Sequence, residues 1–387
     1  MAPLTAGSEG AAPQNHARIL ILNAGSATLK SSLLDLPVLD PVGEHEVSWA
    51  ASASLSERAE AIGASIDRLG VAKTRAGVVD AVGHRIVHGG DRFTQPTLID
   101  HSNLAAIEGL ADLAPLHNPA AVATIRAALE ALPDVPHVAA FDTAFHATLP
   151  EDAVRYPIPD AWVHEHGIRR YGFHGLSVSW AVRRAGELLH RDAGSLRLVV
   201  AHLGGGSSVT AVDHGRSVDT SMGLTPLEGL MMGTRAGSID PGIVFHLAQN
   251  GLSLTSIEEG LTRRSGLRGV GGTDDVRALL TSEAEGDERA ALAIRLYVRR
   301  AAAGIAAAAT TLPTVDAVVF TGGIGEHAGS VRARICERLS LLGVSPPSDA
   351  DTRQGVLTTG GPGPAVLAVH SREDVVIAEA AAGFLGA

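Results

Sequence analysis

The sequence predicts an α/β protein of two related halves, with sheets covered by helices and a cleft between the halves. Three observations predict it. Short apolar runs alternate with helical periodicity along the 387 residues. Residues 19–35, "ILILNAGSATLKSSLLD", and 197–213, "RLVVAHLGGGSSVTAVD", share one plan of apolar strand, small-residue tip, second strand and aspartate. A third segment, "DAVVFTGGIGEHAGS" at 316–330, runs from an apolar strand through a glycine loop into a helix.

In chain order, residues 1–17 are small and polar without an apolar core, which predicts a disordered tail and neither a signal peptide nor a membrane anchor. The unbroken apolar run 19–22 is a buried strand, and 31–36 is its hairpin partner. Helical spacing follows at 56–69, then a strand at 78–87, helices at 102–111 and 119–131, and a strand at 137–141 that ends in Asp142. The second half opens with a helix at 176–190 and strands at 197–202 and 208–212. Helices at 240–249, 274–281 and 287–310, a strand at 316–320, a helix at 328–342, a strand at 364–369 and a helix at 373–384 complete it. Ser371 to Asp374 reads as a capping box on that last helix. The alanine-rich stretch 301–311 is too short to span a bilayer.

Composition restricts the function classes. A net charge of −11 argues against a general nucleic-acid or anionic-membrane surface, so an anionic ligand needs a local cluster of arginines and backbone N–H groups. The single cysteine, Cys336, excludes an internal disulfide framework and a multi-cysteine metal site. A cytoplasmic protein is the expectation. Of 31 Lys and Arg residues only Lys30 and Lys73 are lysines, and Lys30 stands beside the first hairpin tip. Tips of glycine, serine and threonine offer backbone N–H groups and hydroxyls without bulk, which suits phosphate oxygens. A single such cluster is ordinarily just a turn, and none matches the P-loop pattern. Three, each after an apolar strand, favour a nucleotide.

The motifs "NAGSATLK", "GHRIVHGG", "PLHNP", "FDTAFH", "RRYGFHG", "HLGGGSSV", "MGLTPLEGLMMGTRAGSIDPG" and "FTGGIGE" occur in this order from about residue 18 onward, and in them the chain resembles the acetate kinases. That family belongs to the superfamily of acetate and sugar kinases, heat-shock ATPases and actin. The resemblance implies duplicated ribonuclease-H-like domains with ATP in the cleft between them, and a homodimer. It implies an N-terminal domain over 18–145, joined by the last helix at 374–387, and a nucleotide-binding domain over 146–373. The implied reaction is reversible, Mg²⁺-dependent transfer of the ATP γ-phosphoryl group to acetate, with Mn²⁺ as an alternative ion and acetyl phosphate and ADP as products.

By resemblance Arg85 and Arg235 hold the carboxylate and the moving phosphoryl oxygens, where guanidinium forks suit both. Taken alone, each is an ordinary arginine in an ion pair or in solvent. His174 is implied as a donor to the phosphoryl group, although a histidine beside Phe and Tyr is commonly a core residue. Asp142 is implied as catalytic. Acetate is already ionised at neutral pH, so a general base has nothing to remove. An electrostatic role follows for Asp142, orienting Arg235 or a metal-bound water, with the acid limb of the pH profile left to acetate or the phosphates. Asn23 and Glu373 are the implied metal residues, enough for an ion that keeps several waters. Lys30, Ser26, Thr28, Gly25 and the stretch His202, Leu203, Gly204, Gly205, Gly206 are implied around the phosphates. Asp275, Val276, Arg277 and the run Gly323, Ile324, Gly325, Glu326, His327 are implied at the adenosine. The acyl pocket is implied at Val87, Leu116, Phe173 and Pro226, all simple core residues when read without the family. The chain departs from the family at Leu176 and Val178 (usually "HGTSH"), at Gly205 (usually Asn), at His327 (usually Asn) and at Thr28 (commonly Ser). Propionate or butyrate kinases of the same family remain as alternatives, and more remotely a nucleotide-gated binding ATPase.

Overall fold

The computed structural model describes residues 17–25, 28–38, 40–48, 53–71, 79–114, 117–359 and 363–385. Ser26, Leu116, Lys73 and nearly all of the expected N-terminal tail lie outside these residues. Two six-stranded mixed sheets carry the chain, each with helices on its faces. The first holds β1 (Ala17–Ala24), β2 (Thr28–Leu36), β3 (Pro41–Ser48), β4 (Ala81–Ile86), β5 (Thr97–Leu98) and β6 (His137–Phe141), in the order β3-β2-β1-β4-β6-β5. The second holds β7 (Arg197–Leu203), β8 (Ser207–Asp213), β9 (Arg216–Thr220), β10 (Ala317–Thr321), β11 (Gly355–Thr358) and β12 (Ala365–Ala368). Read from its other edge, its order is β9-β8-β7-β10-β12-β11, the same topology again.

The central strands form because their runs are apolar on both faces, the pattern of parallel strands covered on two sides. β1 pairs parallel with β4, and β4 with β6, while β2 returns antiparallel with Asn23 opposite Lys30. In the second sheet β7, β10 and β12 are parallel, and β8 returns with His202 opposite Ser208. Helices Gly175–Leu189 and Glu373–Ala382 lie between the sheets, and one hydrophobic core joins Ile19 and Val138 of the first sheet to Leu198 and Val319 of the second. The last helix packs on β1, β4 and β6. Gly83 in β4 permits this, since a Cβ there would stand 2.5 Å from Cγ2 of Ile377.

All eight strands expected from apolar runs are present, and the described residues add four more that are not evident in the sequence. β3 and β9 are polar hairpin extensions, and β5 and β11 are short edge strands, so backbone pairing rather than an apolar pattern defines them. Short helices at Glu151–Val154, Asp160–His166, Leu254–Arg263 and Gly266–Gly271 add to the nine expected. Residues Gly322–His327 are a helical turn, where the sequence reads as a glycine loop. The capping box is absent: Arg372 is the N-cap and makes no side-chain cap bond, while the Ser371 hydroxyl bonds to Ser177.

Candidate active site

The ends of β1, β4 and β6 face the β7–β8 tip across two cavities of about 410 and 850 Å³ that share Gly205 in their walls. The smaller holds both arginines implied by the motifs. Arg85 makes a two-pronged contact with Asp142, Nε to Oδ1 at 3.0 Å and Nη2 to Oδ2 at 2.5 Å. Its Nη1 donates to Asn23 Oδ1 at 3.1 Å, and Glu373 Oε2 lies 3.6 Å from Nε. Burial works against the charge of Arg85, but Asp142 and Glu373 more than offset it and lift its pKa. Burial pushes the Asp142 carboxyl up to about 6 against the pull of Arg85, with Glu373 adding to the rise. Among the described residues the arginine that pairs with Asp142 is Arg85, where the sequence led to the expectation that Asp142 orients Arg235 or a metal-bound water. Chain order could not reveal this, because β4 and β6 are joined only by sheet pairing.

Arg235 stands differently. Its Nη1 donates to the Pro226 carbonyl at 3.1 Å and lies 3.9 Å from Sδ of Met232, and no carboxylate pairs with it among the described residues. Burial lowers its pKa. The loop that carries it is fixed from outside the cavity: Tyr156 and Arg170 both bind Glu228, and Tyr156 Oη also accepts from Leu224 N–H. Gly237, at φ +72, completes the turn, where a Cβ would sit 2.3 Å from the Leu230 carbonyl oxygen. A half-buried guanidinium without a carboxylate partner, beside a paired one, can receive an anion.

His174, at φ 60, is the N-cap of helix Gly175–Leu189. Burial, with His202, Arg85 and Arg235 nearby, holds it neutral, well below its ordinary value. Its ring stacks on His202 at 4.1 Å, and Nδ1 lies 3.0 Å from Ser208 Oγ. With Ser208 donating to Nδ1, the Nε2–H is left to face the cavity beside Gly206. His202 is held through Nδ1 by Ser177 Oγ at 2.8 Å. Leu176 and Val178 point instead into the core between the sheets, so the departures from "HGTSH" are packing residues here.

Val87, Phe173 and Pro226 line the smaller cavity together with Thr28, Gly205 and Gly206. Asn23, Lys30, His202, Gly204, Gly323, Glu326, His327 and Glu373 line the larger. Among the described residues Lys30 forms only an exposed 4.0 Å pair with Glu46. Leu203 and Val276 are buried in the core of the second sheet, and Ile324 packs against it, so their side chains do not reach a cavity. Gly325 is also enclosed, its carbonyl accepting from the buried Arg332. Asp275 and Arg277 line neither cavity: Asp275 caps helix Val276–Ala284 by accepting from the N–H groups of Arg277 and Ala278. Glu326 is turned inward, bound by His370 Nδ1 at 2.5 Å and Ser371 N–H at 3.0 Å.

Sequence reasoning missed His117, Met222, Met232, Ser208 and Ser177. His117 lies within the quoted "PLHNP", and burial with Arg235 and Arg85 nearby pushes its pKa down to about 4. Met222, Met232 and Ser208 also lie within quoted motifs, where nothing in the spacing marks them as wall or hydrogen-bond partners, and Ser177 follows only from packing. Among the described residues no three His, Cys, Asp or Glu side chains form a metal cluster.

Comparison with known proteins agrees with this geometry. The profile of the Acetokinase family matches residues 18–379. The acetate kinase of Deinococcus deserti is 45% identical, covering 93% of this chain and 96% of its own length. That of Pseudarthrobacter chlorophenolicus is 41% identical, covering 95% and 99%. Among solved structures, a propionate kinase from Francisella tularensis superposes with a TM-score of 0.87 at 34% identity, over 95% of this chain and 99% of that one. The acetate kinase of Porphyromonas gingivalis gives 0.86 at 33%, over 95% and 100%. Shared motifs, duplicated sheets and full-length similarity lead to one conclusion: the chain belongs to the acetokinase family.

Proposed function

We propose that the protein is an acetate kinase, which transfers the γ-phosphoryl group of ATP directly to acetate and reverses the reaction. The observation that carries the reading is the placing of two half-buried arginines, one neutralised by Asp142 and one without a carboxylate partner among the described residues, around a small apolar wall. An acetate oxygen attacks the γ-phosphorus in line, and the bond to the bridging oxygen of the departing ADP breaks. No proton need move, so positive charge and alignment are the chief requirements.

In this reading Arg235 binds the anion, Arg85 flanks the transferring phosphoryl group, and the neutral His174 donates to one of its oxygens. Asp142 fixes the plane of Arg85. Val87, Phe173, Pro226 and Leu116 receive the methyl group. Thr28, Ser26, Lys30 and residues 202–206 surround the phosphates, with Leu203 contributing backbone only. Gly323 and His327 face the nucleoside, Ile324 and Gly325 shape the turn, and Asp275 to Arg277 act by capping a helix at its edge. Asn23 Nδ2 donates to Glu373 Oε2 at 3.4 Å, so the two side chains adjoin, and in this reading they supply the one or two protein oxygens of an ion that completes its shell with phosphate and water. Mg²⁺ there, or Mn²⁺, would neutralise phosphate charge.

The domains proposed are 18–145 with the last helix, and 146–373. A homodimer is supported by four exposed apolar side chains close in sequence, Ile243, Phe245, Leu252 and Leu254. No described helix is long and apolar enough to cross a membrane, and a cytoplasmic location is part of this reading.

Trapping acyl phosphate with hydroxylamine tests the activity. ATP- and acetate-dependent hydroxamate formation is expected. ATP hydrolysis without hydroxamate would point to a nucleotide-gated ATPase, and a preference for propionate or butyrate to the related kinases.

A further inference from the structure

The apolar wall of the smaller cavity is a cluster of its own. Val87 and Phe173 face the cavity, and Met222 and Met232 complete a buried group of four, separate from the larger cores. Both methionines are fully enclosed, at 0% exposure. Apart from Met1, the chain uses methionine only at 222, 231 and 232, so two of these three stand in this one wall.

Their backbones are fixed. The Met222 carbonyl accepts from Arg170 at 3.1 Å. Met232 donates its N–H to the Arg235 carbonyl at 3.1 Å and accepts from Leu267 N–H at 2.9 Å. Only the side chains are left to yield, and an unbranched thioether with three rotatable bonds is the apolar side chain that yields most readily. Met232 also touches the guanidinium of Arg235, so the wall and the anion-binding cation are in contact.

We infer that Met222 and Met232 set the acyl-chain length of this site, as a compliant second layer that makes room for a three-carbon carboxylate behind Val87 and Phe173. The inference rests on the proposed carboxylate kinase activity. Because the cluster is isolated from the sheet cores, changing its volume alters the pocket without propagating into the fold.

The experiment measures kcat/KM for acetate, propionate and butyrate in the full-length wild type and in Met232→Leu, Met222→Leu and Met232→Ala. Wild-type turnover of any of these carboxylates tests the activity itself, and inertness to all three would overturn that reading together with this one. The inference is tested separately by the propionate-to-acetate ratio in the variants. Leucine keeps the volume but is branched and stiffer, and is expected to lower the ratio about 3–10-fold. Alanine is expected to raise it about 10-fold and to bring in butyrate. Thermal melting verifies folding, and the leucine variants keep the test valid where the alanine variant is unstable. Unchanged ratios in folded variants that still use acetate would overturn the inference.

Discussion

The two sheets have the same strand order, yet the ends of equivalent strands carry different chemistry. Where β4 ends, the first sheet presents Arg85, and where β6 ends it presents Asp142. At the matching ends of β10 and β12 the second sheet presents Gly322 and Gly323, then His370 and Ser371 tied to Glu326. One half turns an arginine–carboxylate pair toward the smaller cavity, and the other presents glycine backbone beside a Glu326–His370 pair. The duplicated scaffold supplies places, and the residues at strand ends decide whether a place moves charge or admits a nucleotide.

The largest effects should come from the charged half and from the arginine facing it. Arg85→Ala and Arg235→Ala are each expected to lower kcat at least ~10²-fold. Melting should separate them. Arg85→Ala leaves Asp142 buried and unpaired, so the melting temperature falls. Arg235 has no carboxylate partner among the described residues, so its removal should leave stability equal or higher. Equal destabilisation by both would erase the contrast between a paired and a waiting cation.

Asp142→Asn keeps the shape but loses the charge, and kcat should fall roughly 10–100-fold with a measurable residual rate. In the wild type, protonation of a carboxyl lifted to about 6 loosens Arg85, so activity should decline as pH drops through that region. This assigns to Asp142 an acid limb that the sequence leaves to acetate or the phosphates, and the Asn variant should flatten it. The linked stability has the opposite sense. A carboxyl raised in the fold contributes stability fully present below its unfolded value of 3.8 and lost as pH rises through about 6. Wild type minus variant stability should decrease across that window. A variant with no activity at any pH would restore an obligatory proton-transfer role.

Val87→Ala removes two methyl carbons from the cavity wall and should raise the propionate-to-acetate kcat/KM ratio about 10-fold. An unchanged ratio would place the acyl group elsewhere. The smallest effect belongs to the glycine half. A Cβ on Gly205 meets nothing within 4 Å, so Gly205→Asn should fold normally and change KM for ATP only about 2–5-fold, with kcat intact. A large loss of kcat would mean that this tip does more than admit phosphate.

Much of the site was legible because its residues sit in motifs. Arg85, Val87, Asp142, Phe173, His174, Pro226 and Arg235, drawn from four separate motifs, line one cavity. Asp275, Val276, Leu203 and Ile324 show the limit. A motif position carries no sign of whether its side chain points to a ligand, caps a helix or fills a core. The same limit applies to the fold: β1 and β7 announce themselves by apolar runs, whereas β3 is an alternating polar strand that only its partner β2 defines.

By itself the sequence determined the alternation of strands and helices, the repeated hairpin and the family, because apolar periodicity, glycine tips and short motifs are local properties of the chain. Only the tertiary structure decided that Asp142 holds Arg85, that Arg235 stands without a carboxylate among the described residues, that Asn23 adjoins Glu373 from the far end of the chain, and that two methionines pack with Val87 and Phe173. Those pairings depend on strand register and on which side chains burial brings together, and neither is written in the spacing of residues along the chain.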